Sequence, residues 1–214
     1  MSLARVTTFS FQGIEAVPVE VQVQVASGLP AFTVVGLPNK AVGESRERVR
    51  AVLSVLGLSL PPKRILVNLA PADLVKEGSH FDLPIALGLL GAMEVIPPDE
   101  LAHFAAMGEL ALDGSIQPVA GVLPAALACG ERELGLVCPA AQGAEASWAG
   151  ATEALAAPDL RSLIAHFQGR QALGPPAPPL RRRPSRVAPA SRRCAGRKAP
   201  SARWRSPRRD PTTS

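Results

Sequence analysis

The chain has 214 residues, 47% of them apolar, with six Phe, two Trp and no Tyr; that is enough Val, Leu, Ile and Ala for one real core, in one or two domains. Its net charge of +5 hides an asymmetry: residues 1–171 carry 11 Lys/Arg against 17 Asp/Glu, and residues 172–214 carry 12 Lys/Arg against one acid, Asp210. Three cysteines without metal-ligand spacing, a start without an apolar h-region and no long apolar run exclude a zinc site and predict no signal peptide, no membrane and a reduced cytoplasmic setting.

Residues 3–13 read as a strand. Residues 18–26, PVEVQVQVA, alternate strictly and predict a half-buried antiparallel strand. A turn over Ser27–Pro30 leads to a third strand, Ala31–Val35. Residues 39–56 show helical spacing, with Val42, Val49, Val52, Leu53 and Leu56 on one face and Gly57 as the C-cap candidate. Pro61-Pro62 stops any continuation. A β-branched run, Ile65–Leu69, is the next strand. It is followed by a polar loop, Lys76-Glu77-Gly78-Ser79-His80. Asp82-Leu83-Pro84 then opens an apolar helix over 83–92. Asp82 is a natural N-cap contributing about 1 kcal/mol, and Pro84 sits in the first turn, where its missing N–H costs nothing. Residues 107–112 and 115–119 flank an Asp113-Gly114 hairpin signal. A helix over 121–133, with Cys129 as a small core residue, leads to strand Gly135–Pro139. Short α and β segments end near Phe167. The order is mixed α/β (α+β) with an antiparallel component. A strand, a tight polar loop and a buried helix is a layout that presents a loop to a substrate.

Three stretches carry a resemblance. Val35-Gly36-Leu37-Pro38 with Glu44-Ser45-Arg46-Glu47-Arg48-Val49-Arg50 is the first. Val67 through Gly88, containing Lys76, Glu77, Gly78, Ser79, Phe81, Asp82, Leu83 and Pro84, is the second. Gly108-Glu109-Leu110 with Asp113-Gly114 and Pro118 to Gly121 is the third. Together they resemble the amino-terminal domain of the ComM/YifB proteins, Mg-chelatase-related AAA+ ATPases linked to DNA branch migration during natural transformation. The resemblance covers roughly residues 2–170. It implies the two-layer fold of the Lon protease proteolytic domain, with a mixed sheet. For the full-length family it implies ATP and Mg as cofactors, DNA as partner and self-association into rings.

In the Lon-like fold, a Ser in a Gly-rich loop and a Lys on a following helix form a catalytic dyad. Laid on that pattern, Lys76-Glu77-Gly78 enters the serine loop, but the nucleophile's position falls at His80. The lysine's position falls at Leu123. Ser79 lies next door, yet residues 121–133 contain no Lys to serve it. The expected product is a non-catalytic domain. His80, a lone His with no second ligand at metal spacing, reads as a surface or loop residue.

Arg46 and Arg50, at i and i+4, share a helix face and could touch phosphate or a neighbouring subunit's acids; the blander alternative is a solvated face shared with Glu47. No GxxxxGK[ST] phosphate loop occurs, so no ATP site and no cofactor are expected in this chain. Residues 1–170 form the expected domain. Residues 171–214 form a Pro/Arg-rich tail expected to be disordered and to bind nucleic acid weakly without sequence preference. Read one base out of register, Ala190–Ser214 can spell LAEVRGQESAKRALEVAAAGPHNL. That string resembles the start of the family's ATPase module, so the expectation is a truncated product of a frameshift. The alternatives are a natural linker and a basic-tailed nucleic-acid-binding module. The gene's nucleotide sequence decides between them.

Overall fold

The computed structural model describes residues 2–149, 153–174 and 176. The basic tail beyond these, with Cys194, lies outside the described residues. The elements, in chain order, are β1 (Ser2–Gln12), β2 (Glu15–Ala26), β3 (Ala31–Val35), α1 (Asn39–Val55), β4 (Arg64–Ala70), α2 (Asp82–Ala92), α3 (Pro98–Leu101), β5 (Phe104–Ala106), β6 (Glu109–Leu110), β7 (Ile116–Gln117), α4 (Val122–Gly130), β8 (Gly135–Pro139), α5 (Gly143–Ser147), β9 (Ala154–Ala157) and α6 (Leu160–Phe167). Seven strands form one mixed sheet in the order β3-β4-β2-β1-β5-β8-β9, and β6 and β7 form a separate hairpin.

β1 and β2 pair antiparallel over their whole length, from Ser2 opposite Val25 to Gln12 opposite Glu15. The alternation in β2 puts Val19, Val21, Val23 and Val25 on the core face, as period two requires. β4 pairs antiparallel with β2 and parallel with β3. Across β1 the sheet becomes parallel, through β5, β8 and β9.

α1 and α2 cover one face. α1 buries Val49, Val52 and Leu53, with Val42 and Leu56 packed beside them. It ends as its Gly predicts. Gly57 takes φ +74°, its N–H donates to Ser54 O and the Leu58 N–H to Leu53 O, which satisfies two terminal carbonyls. α2 is buried along every residue and lies against β1 and β2.

On the parallel side, neighbouring residues divide between two clusters. Ala106, Val137 and Leu155 join the core with α2, whereas Ala105, Leu136, Cys138 and Ala154 join a second cluster with Phe9 and α4. Successive strand residues point to opposite faces, so α4 and α5 cover the reverse of the sheet there. The two-layer plan of β3-β4-β2-β1 thus gains a further helical layer at the β5-β8-β9 end.

Three boundaries differ from the sequence reading. Of the strand expected over 107–112 only Glu109–Leu110, β6, is a strand; β5 precedes it at Phe104–Ala106, with Gly108 between the two. The α4 helix stops at Gly130, because the chain turns through Glu133 at φ +57° and the Leu134 N–H closes on Cys129 O. Asp82 is not an N-cap. A 3₁₀ turn, Ser79–Phe81, runs straight into α2, so Asp82 is already helical (φ −60°) and its carboxylate is engaged elsewhere. Asp159 plays the capping role for α6, accepting from the Ser162 N–H at 2.7 Å. Among the described residues no helix is long and apolar enough to cross a membrane.

Candidate functional site

The three stretches singled out in the sequence converge on one place, the loop Lys76–Asp82 at the mouth of α2. From the first, Arg48 on α1 reaches Asp82, donating from Nε to Oδ2 at 2.6 Å and from Nη2 to Oδ1 at 3.2 Å. Asp82 is 1% exposed, so this bidentate pair holds an otherwise costly buried carboxylate. The Asp82 hydrogen bond, with Asp82, Glu109 and Glu44 as nearby charges, raises the Arg48 pKa against the opposing effect of burial. From the third stretch, the Leu110 N–H donates to Asp82 Oδ2 at 3.4 Å, and Glu109 Oε2 accepts from Ser79 Oγ at 2.5 Å. Gly108 stitches the hairpin to the loop. Its N–H donates to His80 O, and its carbonyl accepts from the Leu83 N–H, both at 3.1 Å. A Cβ on Gly108 would lie 2.7 Å from Ile116 Cγ2 and 3.1 Å from Leu83 Cδ2, so a larger residue would have to displace those side chains.

The loop itself is less open than its polarity predicts. Lys76 is buried, and its Nζ donates to the carbonyls of Pro71 and of Leu74 (3.2 Å for the latter); desolvation lowers its pKa, partly offset by Asp73. Ser10 on β1 donates from Oγ to Val75 O at 2.6 Å. His80 is the clearest correction: it is 7% exposed and no surface residue. Its Nε2 donates to Phe9 O at 2.9 Å, and its ring stacks against Phe81 and Phe11 at centroid distances of 4.1 and 5.7 Å. Burial lowers its pKa, outweighing the Phe9 hydrogen bond and Asp82. Glu77, Gly78 and Ser79 are left as the accessible part. Gly78 makes the turn at φ +103°, which few other residues adopt.

One aromatic ring bridges His80 and the start of α4. Phe11 touches His80 on one side. On the other it packs so closely on Gly121, at the start of α4, that a Cβ there would collide with the ring. α4, with Leu123 at the lysine position, reads VLPAALACG and offers no basic group. Cys129 and Cys138 are buried, and desolvation pushes both thiols up to about 12, which leaves them unreactive. Among the described residues no cluster of three or more His, Cys, Asp or Glu is placed to hold a metal ion.

Arg46 and Arg50 lie elsewhere. They line a cleft of about 360 Å³ with Lys63, Pro61 and Pro62, on a different side of α1 from Arg48. Arg46 Nε sits 3.5 Å from Glu47 Oε1 as an ion pair but makes no hydrogen bond. Sequence reasoning weighed Arg46 and Arg50 and passed over Arg48. The available signal was spacing: Arg48 falls one position before Val49 on the buried face, where an Arg needs an acid partner.

The chain's residues 21–142 match the family model described as subunit ChlI of Mg-chelatase. It is 40% identical over 173 residues to the competence protein ComM of Haemophilus influenzae, covering 81% of this chain and 34% of that protein. The uncharacterized protein YifB of Escherichia coli is 38% identical over 178 residues, 83% of this chain and 35% of that one. An uncharacterized protein of Mycobacterium tuberculosis is 42% identical over 128 residues, 60% of this chain and 25% of its own length. The chain thus spans about a third or less of the curated relatives it matches.

Proposed function

This chain belongs to the family of the Mg-chelatase subunit ChlI, with ComM and YifB among its relatives, and from that premise we propose that residues 1–170 are a non-catalytic Lon-like domain. In the full-length ComM-type protein this domain accompanies an AAA+ ATPase acting on branched DNA in natural transformation. ATP, Mg and ring assembly belong to that larger protein. The observation that carries the reading is His80. It stands at the nucleophile position with its side chain buried and its Nε2 hydrogen-bonded to Phe9 O. A Ser–Lys dyad needs a base within hydrogen-bond reach of the hydroxyl. Ser79 instead donates to Glu109, and α4 supplies no lysine. The loop's role is then to hold geometry and recognise, without bond cleavage.

The chain incubated with casein should yield no fragments, and calorimetric titration with Mg-ATP no saturable heat. Hydrolysis abolished by Ser79→Ala would overturn the reading, as would a micromolar ATP isotherm. A second reading, nucleic-acid contact by this domain, is favoured by one feature: Arg46, Arg50 and Lys63 gather at one cleft. Charge reversal there should weaken DNA binding at moderate salt if it holds. The basic-tailed binding module is the weaker account of the whole chain, because the family match runs through residues 21–142.

A further inference from the structure

A second cleft, of about 350 Å³, lies between the N-terminal half of α1 and the Gly78–Asp82 loop. Its apolar lining is Leu37, Pro38, Ala41 and the buried Phe81. Ser45 lines it as well, at 3% exposure, and its Oγ has no hydrogen-bond partner. A buried hydroxyl without a partner is uncommon, because the lost hydration is not replaced. The hydroxyl is therefore suited to completion by a group from outside.

The charge around the cleft says which kind. Glu44, Glu77, Asp82 and Glu109 line it against Lys40 and Arg48. Arg48 and Asp82 neutralise each other. Lys40 is an exposed side chain 3.9 Å from Glu44. Glu109 gives Oε2 to Ser79, which leaves Oε1. The cleft is short of positive charge, and its acids are not grouped as metal ligands. Arg48 already shows how it holds a guanidinium, with Asp82 in front and Glu44 3.9 Å away.

We propose that this cleft binds an arginine side chain presented by a partner protein. Its guanidinium is shared by Glu44, Glu109 and Ser45 Oγ, and its stem lies on Leu37, Pro38 and Ala41. Five donors in a rigid plane suit acceptors spread around a rim better than the point charge of a lysine. The methylene stem suits the apolar lining. The inference rests on the reading of the loop as a recognition element. Casein hydrolysis tests that reading, whereas the experiment below tests the cleft alone.

The test titrates the ¹⁵N-labelled chain with acetyl-Gly-Arg-Gly-amide and with its citrulline analogue, which has the same shape and no charge. The arginine peptide should give saturable shifts at the amides of Ser45, Gly78 and Ser79, and the citrulline peptide should bind roughly tenfold more weakly. Glu109→Gln should weaken the arginine peptide by roughly threefold or more. Should that variant fail to fold, the two peptides on the unaltered chain decide alone. Equal binding of both peptides would overturn the proposal. So would shifts confined to a separate groove, lined by Glu100, Glu133 and Glu153, or no saturable shift at all.

Discussion

In β2 from Val19 onward, and throughout β4, every second side chain is buried and its neighbours are half-exposed or exposed, whereas in β8 all five residues from Gly135 to Pro139 are buried. The β3-β4-β2-β1 half of the sheet, built around the antiparallel pairs of β2, is covered by helices on one face, and the all-parallel β5-β8-β9 end on both. The difference follows from connection length. A hairpin such as β1–β2 needs no crossover, so one face stays wet. Parallel strands need crossovers whose helices cover the sheet. The lesson is that a solvated face leaves a period in the sequence and a doubly covered strand leaves only an apolar run. The candidate site sits where the two regimes meet, between α1 on the one-sided half and the β6–β7 hairpin that follows β5.

Neighbouring substitutions test that contrast most directly. In β8, Leu136→Ala should cost about 2–5 kcal/mol and Val137→Ala about 1–3 kcal/mol, since each leaves a cavity on a different face. In β4, Leu69→Ala should be as severe as Leu136→Ala. Its neighbour Asn68, hydrogen-bonded only to Gln22 at 3.3 Å, should tolerate Ala within about 0.5 kcal/mol. Urea unfolding of the four variants gives the comparison. Equal costs for Leu69 and Asn68 would break it.

The clamp joining the halves should come next in size. Arg48→Ala leaves Asp82 buried and unpaired, and should destabilise the domain by about 3 kcal/mol, measured the same way. The double variant Arg48→Ala with Asp82→Ala should recover part of that loss. A loss in the double variant equal to the sum of the Arg48→Ala and Asp82→Ala losses would mean the pair is not coupled.

Two helix glycines sharpen the picture of which faces are packed. A Cβ on Gly88 in α2 would lie 2.7 Å from Val23 Cγ2, so Gly88→Ala should cost about 1–3 kcal/mol. Gly43 in α1 has nothing within 4 Å of that position, so Gly43→Ala should stabilise by about 0.4–1 kcal/mol. Thermal melts with the same sign for both would contradict the packing described.

The smallest effect concerns pH. Burial lowers the His80 pKa below its ordinary value of 6.5, so below that value the unfolded chain binds a proton that the folded one refuses. Stability contributed by neutral His80 is present above about pH 7. It falls as pH drops through 6.5, by at most about 1.4 kcal/mol per pH unit, until the folded ring itself protonates. Denaturation between pH 5 and 8 should show that slope, and His80→Gln should flatten it. An unchanged slope would place the titration elsewhere.

Most of the fold was legible in the chain. β3 and β8 fall on their expected residues, β2 and α1 follow their periods, and Gly57 ends α1 as a C-cap. The period of a strand and the left-handed preference of Gly are local properties, carried by neighbouring residues. β5 was not legible. Phe104–Ala106 is too short for any period, and it is a strand only because β1 and β8 flank it. The site divides the same way. Its three contributing stretches are the ones that carry the family resemblance, and the absence of a Lys from α4 is read directly from its residues. What each side chain does was decided in three dimensions. Asp82 looks like a cap until Arg48, 34 residues away, takes its carboxylate, and His80 looks like a loop residue until Phe9 O accepts its hydrogen bond. Polar sequence alone does not reveal burial, because a charged or polar group goes inside only when a partner from a distant segment replaces its water.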